Sequence, residues 1–305
     1  MITRSNCPMD IEMKKTVVNG VELEYSILGK KEGETIIFIH GGIIADANIP
    51  LFLESSLKNC RLVHYHRRGY AGSSKYKTGI SISISQQALD CKNILDYLGI
   101  NHVHIVGHSV GGTIALQFVL EYPHYVNTIS LLEPALTGYG QSGDNCVIEE
   151  FTPIMELYDG GQKQKAVEIF MKNTIGEDYL KLMEERLSAD AYDLAVTDAK
   201  TYFHHEIPSM KVWKLPMSLN GNIPGNQHNT FNLNTEGSFS KPVLYARGSN
   251  SGQRAKEREQ IVSKLFPNTK TLVVENARHM LQIMNPSRVA EGIATFLEIN
   301  EDIDK

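Results

Sequence analysis

Apolar and polar positions along this chain follow two rhythms, and the change between them organises the molecule. Through the first half, short apolar runs alternate with helical spacing. Val17–Val18 and Val21–Leu28 flank Asn19-Gly20, the pattern of an antiparallel hairpin. Thr35–Ile39 is an unbroken apolar run ending at His40-Gly41-Gly42, and Arg61–Tyr65 is another, leading into Arg67-Arg68-Gly69. Cys91, Ile94, Leu95 and Leu98 fall at i, i+3, i+4, i+7 and predict a helix with Gly99 as its stop. A buried strand follows over His102–Val106, then a helix over Gly112–Leu120 stopped by Pro123. The next strand, Val126–Leu132, ends at Glu133-Pro134. Strands alternating with helices imply a mostly parallel sheet covered by helices on both faces.

After Pro134 the rhythm changes. No strand is convincing from about 135 to 240. Val147, Phe151, Ile154, Met155 and Tyr158 lie at helical spacing, and Ala166–Lys172, Tyr179–Leu187 and Ala191–His205 also predict helices. Residues 216 to 240, rich in Asn, Gly and Pro, predict an ordered loop or short linker. The first rhythm then returns with a strand at Pro242–Ala246, a helix near 252 to 265, a strand at Thr271–Val274 and a final helix opening at Asn285-Pro286. The expected organisation is one α/β domain from 1–134 and 241–305, interrupted by a helical insertion over 135–240. An insertion that long is expected to be functional.

Composition narrows the partners. A net charge of −5 and a pI near 6.1 give no basic stripe for nucleic acid. No run approaches 18 apolar residues, and Met1–Cys7 lacks the apolar core of a signal peptide, so no membrane partner is expected. Cys7, Cys60, Cys91 and Cys146 are widely spaced without a CxxC pair, the usage of reduced thiols in a cytoplasmic protein. No Cys/His group has the spacing of a zinc site, and His204 and His205 point apart on a helix, so neither metal nor cofactor is expected.

Candidate chemistry centres on Gly107-His108-Ser109-Val110-Gly111. A G-x-S-x-G pentapeptide between a strand and a helix reads as a nucleophile elbow. There the serine sits on a strained turn that requires small neighbours two residues away on each side.

With these residues together, the chain resembles the α/β-hydrolase superfamily, in its branch of lidded serine esterases and C–C bond hydrolases. The resemblance covers about 20 to 134 and 241 to 298. It rests on His40-Gly41-Gly42, Arg68-Gly69-Tyr70-Ala71-Gly72-Ser73, the elbow, Gly248-Ser249-Asn250-Ser251, Ala277-Arg278-His279-Met280 and Asn285-Pro286. It implies the α/β-hydrolase fold, with the 135–240 insertion as a cap that sets substrate choice. Two departures stand out. His66 replaces the family's aspartate before Arg-Gly, a change expected to be structural. Ser251 stands where many relatives carry the aspartate of a catalytic triad, and a hydroxyl cannot supply that charge.

Serine at neutral pH needs a base to take its proton as it attacks. The resemblance places His279 in that role, with His108 and His40 as structural or hydrogen-bonding residues. The oxyanion of an attacked carbonyl needs fixed donors, expected from the backbone N–H groups of Gly42 and Val110, or from Ile43 if the turn is shifted by one. For the acid, Glu133 at the end of the sixth strand is the leading candidate. A salt bridge from Glu133 to Arg247 or Arg278 is the competing assignment, Asp144 is a more distant acid, and Glu257 and Glu259 are expected on a solvated helix face. Tyr202, His204 and Met280 are the expected pocket residues, with Phe203 and His205 nearby, while Arg67-Arg68 is expected to anchor a loop. The expected activity is hydrolysis of an ester or related small acyl substrate. C–C cleavage of a β-diketone-type substrate, or ligand sensing with weak turnover, are the alternatives.

Overall fold

The computed structural model describes residues 11–76, 82–136, 146–213 and 240–301. Residues 216–239 of the stretch read as a loop, together with Asp144, Cys7 and the start of the chain, lie outside the described residues.

Eight strands form one sheet in the order β1-β2-β4-β3-β5-β6-β7-β8. β1 (Lys14–Val18) and β2 (Val21–Gly29) are antiparallel, in a register that brings Val18 opposite Val21. The two residues between them, Asn19 and Gly20, both have positive φ (49° and 73°), the primed turn that matches the twist of a hairpin. β2 also runs antiparallel to β4 (Arg61–Tyr65). The remaining neighbours, β4, β3 (Thr35–Ile39), β5 (Val103–His108), β6 (Val126–Leu132), β7 (Val243–Gly248) and β8 (Thr269–Val274), are parallel.

Successive side chains of a strand face opposite sides, so one apolar run serves two cores. Ile37, Ile39, Val63, Tyr65, Ile105 and Ile129 join one core with α2 (Ile84–Tyr97), α3 (Val110–Glu121) and α9 (Gln253–Leu265). Ile36, Phe38, Leu62, Val106, Leu132 and Leu244 join the other with α1 (Ile49–Phe52), α10 (Leu281–Met284) and α11 (Pro286–Glu301). The chain therefore carries the α/β-hydrolase fold. α1, α10 and the 3₁₀ turn at Ser55–Leu57 escape a reading of the sequence, being too short to show a helical period.

Between β6 and β7 the described residues are helical. They comprise α4 (Cys146–Asp159), α5 (Lys163–Thr174), α6 (Tyr179–Arg186), α7 (Ala191–Thr201) and α8 (Ile207–Val212). The helix expected over Ala191–His205 is present but changes pitch: α7 ends at Thr201 and Tyr202–Glu206 continue as a π-helical turn. Pro208 has no N–H to give the carbonyl four residues back, so the normal ladder cannot run through this point. Among the described residues no helix is long and apolar enough to cross a membrane.

Candidate active site

β5 and α3 meet at Ser109, which has φ 52° and ψ −118° and so occupies a strained left-handed conformation. Such backbone persists only where the surroundings hold it. A Cβ on Gly111 would collide with the carbonyls of Ile39 and His40, so only glycine lets the elbow sit this close to the end of β3. Val110 is the first residue of α3, and its N–H has no acceptor within the helix. The positive end of a buried twelve-residue helix thus opens beside the serine.

The Glu133 side chain is almost fully buried and has both oxygens engaged. Its Oε1 accepts from the Gly248 N–H at 2.9 Å and from the Ser251 hydroxyl, and its Oε2 lies 3.0 Å from His279 Nδ1. Burial by itself would raise this carboxyl. The hydrogen bonds from His279, Ser251 and Gly248, with the charge of His279, outweigh burial and hold it at about 2. A carboxylate at Nδ1 selects the tautomer with the proton there, leaving Nε2 as the acceptor. Glu133 pairs with neither expected arginine: Arg247 pairs with Glu259 at 2.7 Å, so Glu259 is not merely solvated. Among the described residues no hydrogen bond joins the Ser109 hydroxyl to His279, although both line the same cleft. Such contacts characteristically close only when substrate binds.

His108 packs its ring 4.9 Å from that of His279, and its Nε2 donates to the His279 carbonyl at 3.0 Å. Burial first, then the neighbouring His279 charge, depress His108 to about 3, so it stays neutral and serves as a backbone anchor. Arg67 does the same for the opposite wall. Its buried guanidinium donates to the carbonyls of His40 (3.0 Å) and Gly41 (2.7 Å), and pairs with Glu206 on the π turn. Tyr70 donates to the same carboxylate at 2.6 Å. Arg68 grips Asp90 through two bonds of 2.6 Å. Both arginines are loop anchors, as expected.

The loop after β3 is closed by an Ile44 N–H bond to the Gly42 carbonyl at 2.8 Å, with Ile43 at φ 70°. The N–H groups of both Gly42 and Ile43 lie in this turn. A Cβ on Gly42 would strike the ring of Tyr202, so the aromatic ring lies directly against the loop.

The cleft itself holds about 210 Å³ and contains Ser109, Glu133, Ser251 and His279. Of the three pocket residues expected, only Tyr202 lies on its wall. His204 is turned away: its Nε2 meets Asp159 at 2.7 Å, as residues two apart on a helix face opposite sides. Met280 is buried in the core, with its N–H bonded to the Thr174 carbonyl, and does not line the cleft. Phe151 and Met210 form apolar wall instead, and Arg254, Arg258 and Arg278 bring charge to it. Helical periodicity gave Phe151 as a core position, and only the fold places it here.

One cluster has metal-ligand chemistry. The donor atoms of Asp46, His64 and His66 lie within 4.8 Å of one another, a grouping hidden from sequence spacing because the residues come from two segments. His66 meets carboxylates on both nitrogens, Glu24 at 2.9 Å and Asp46 at 2.8 Å. Burial disfavours its charge, but those two carboxylates prevail and raise it to about 9. A protonated His66 thus clamps β2 to the loop after β3, which is the structural role expected of it.

Residues 34–168 match the family described as alpha/beta hydrolase fold. Over 288 residues the chain is 23% identical to a putative 2-succinyl-6-hydroxy-2,4-cyclohexadiene-1-carboxylate synthase of Bacillus subtilis, covering 92% of this chain and 97% of that protein. It is 26% identical over 148 residues to a 2-hydroxy-6-oxo-6-phenylhexa-2,4-dienoate hydrolase of Comamonas testosteroni, covering 45% of this chain and 48% of the relative. A carboxylesterase structure from Bacillus subtilis superposes with a TM-score of 0.68 at 19% identity, covering 95% of this chain and 92% of the other. Fold, strained elbow and the match over residues 34–168 together show that this chain has the α/β-hydrolase fold.

Proposed function

We propose that this hydrolase cleaves a carboxylic ester of a small acyl group through an acyl-enzyme on Ser109. The observation that carries the reading is the Glu133–His279 bond of 3.0 Å beside a strained serine in one cleft. In this mechanism His279 Nε2 takes the hydroxyl proton as Ser109 Oγ attacks the carbonyl carbon. The oxyanion is held by the N–H groups of Val110 and of Gly42 or Ile43, and by the positive end of α3. His279 passes the proton to the departing alcohol, and a water activated by the same nitrogen releases the acid. Glu133 holds the imidazole in register and stabilises its charged form. The helices between β6 and β7 act as the cap, with Tyr202, Phe151 and Met210 shaping the acyl site.

Support for turnover rather than ligand sensing comes from the acid: Glu133 supplies the charge that Ser251 lacks. The dienoate hydrolase among the relatives keeps C–C cleavage as the competing reaction on the same residues. Fluorophosphonate labelling with peptide mapping tests the nucleophile. The adduct is expected on Ser109 alone, with burst kinetics on p-nitrophenyl esters, and an adduct elsewhere or full esterase activity in Ser109→Ala rejects the reading. Faster turnover of a vinylogous β-diketone than of any ester would favour C–C cleavage.

A further inference from the structure

The charge balance of the cleft is unlike that of the chain. The protein carries −5 overall, but the two carboxylates on the cleft wall are already engaged. Glu133 is held by His279, Ser251 and Gly248, and Glu150 pairs with Arg254. Arg258, on the same helix as Arg254, and Arg278, beside His279, also line the cleft, and among the described residues neither has a carboxylate within 4.0 Å. Arg258 is half-buried, and its charge acts on the hydroxyls of Tyr202 and Tyr245. Burial keeps the Tyr202 hydroxyl protonated, hence a donor. A guanidinium partly withdrawn from water without a counter-ion is costly, and a ligand anion would remove that cost.

We propose that Arg258, with Tyr202 beside it and Arg278 at the mouth, forms a carboxylate subsite. The substrate would then be an ester whose acyl chain ends in a free carboxylate. The proposal rests on the acyl-transfer reading for Ser109, and adds what the far end of the substrate must carry. The planar fork of Arg258 can donate to both oxygens of a carboxylate, and the Tyr202 O–H can add a third bond. A cleft of about 210 Å³ suits a short chain between the two ends. Since most of this interaction is present before and during reaction alike, it should appear mainly in KM.

The test pairs mono-p-nitrophenyl glutarate with neutral p-nitrophenyl pentanoate. The wild-type enzyme should prefer the charged ester by about tenfold or more in kcat/KM, chiefly through KM, and the preference should shrink in high salt. Arg258→Gln should bring the ratio of the two esters close to one, and Arg258→Lys should restore part of it. No preference in the wild type, or an equal loss on both esters with the ratio kept, overturns the subsite. A second measurement does not depend on turnover: calorimetry of monomethyl glutarate binding to Ser109→Ala, with and without Arg258→Gln. Tenfold weaker binding in the double variant supports the subsite even if the ester reading fails. Equal binding in both, or tighter binding of glycerol 3-phosphate than of monomethyl glutarate, rejects a carboxylate site.

Discussion

The Ser251 hydroxyl donates to Glu133 Oε1, so the residue at the usual site of the acid hydrogen-bonds a carboxylate from the end of the neighbouring strand. β6 and β7 are adjacent and parallel, with Leu132 opposite Ala246, which brings their ends to one point above the sheet. Glu133 reaches from one end to His279, and the Gly248 N–H and Ser251 hydroxyl reach from the other to steady it.

Glu133→Gln should therefore lower kcat by at least about a hundredfold with KM little changed, as neutralising the acid of a comparable triad costs about 10⁴ in turnover. Ser251→Ala, which removes one bond to a carboxylate that keeps others, should cost only a few-fold. Adding Ser251→Asp to Glu133→Gln returns a carboxylate to the neighbouring strand end and should recover at least tenfold. Steady-state kinetics of the three variants checks the scheme, and near-wild-type kcat in Glu133→Gln would falsify the assignment of Glu133.

Gly42→Ala is expected to impair turnover because the new methyl would meet the Tyr202 ring and displace the turn carrying the candidate oxyanion donors. Truncating the ring should relieve this. The kcat penalty of Gly42→Ala in a Tyr202→Ala background should be at least several-fold smaller than in the wild type. Equal penalties in the two backgrounds would mean that the ring and the turn are not coupled.

Glu206→Gln leaves the buried Arg67 guanidinium without its counter-ion. Breaking such a pair by removing one partner typically costs about 3–5 kcal/mol. Denaturant unfolding should show a loss of this size. A loss below about 1 kcal/mol would show that the His40 and Gly41 carbonyls and the Gln87 side chain satisfy Arg67 without Glu206.

His66 makes stability depend on pH above neutrality. Its folded value of about 9 exceeds the ordinary histidine value of about 6.5. The stabilisation is therefore complete below about 6.5 and is lost as pH rises towards and through 9. Melting temperature should fall across that window in the wild type and fall less in His66→Gln. Glu133 has the opposite sign: its folded value lies below the ordinary carboxyl value of 4.5, so its contribution is present above 4.5 and fades as pH drops towards 2.

By itself the sequence determined the alternation of strands and helices, because a period of two or an unbroken apolar run is a local property of the chain. Thr35–Ile39, Arg61–Tyr65 and Val126–Leu132 begin and end where the pattern places them. Ser109 was legible for the same reason, since a glycine-flanked serine between strand and helix is one local conformation. Side-chain direction was not legible. His204 and Met280 were expected in the cleft by proximity to Tyr202 and His279, yet His204 faces the other way towards Asp159 and core packing takes Met280. Glu133 could be named by exclusion, but its bonds to Ser251, Gly248 and His279 join residues more than a hundred positions apart. The two cleft arginines that have no carboxylate partner among the described residues are invisible in a chain of net charge −5. Whether a charge is neutralised depends on which carboxylate the fold brings within reach, and only the tertiary structure decides that.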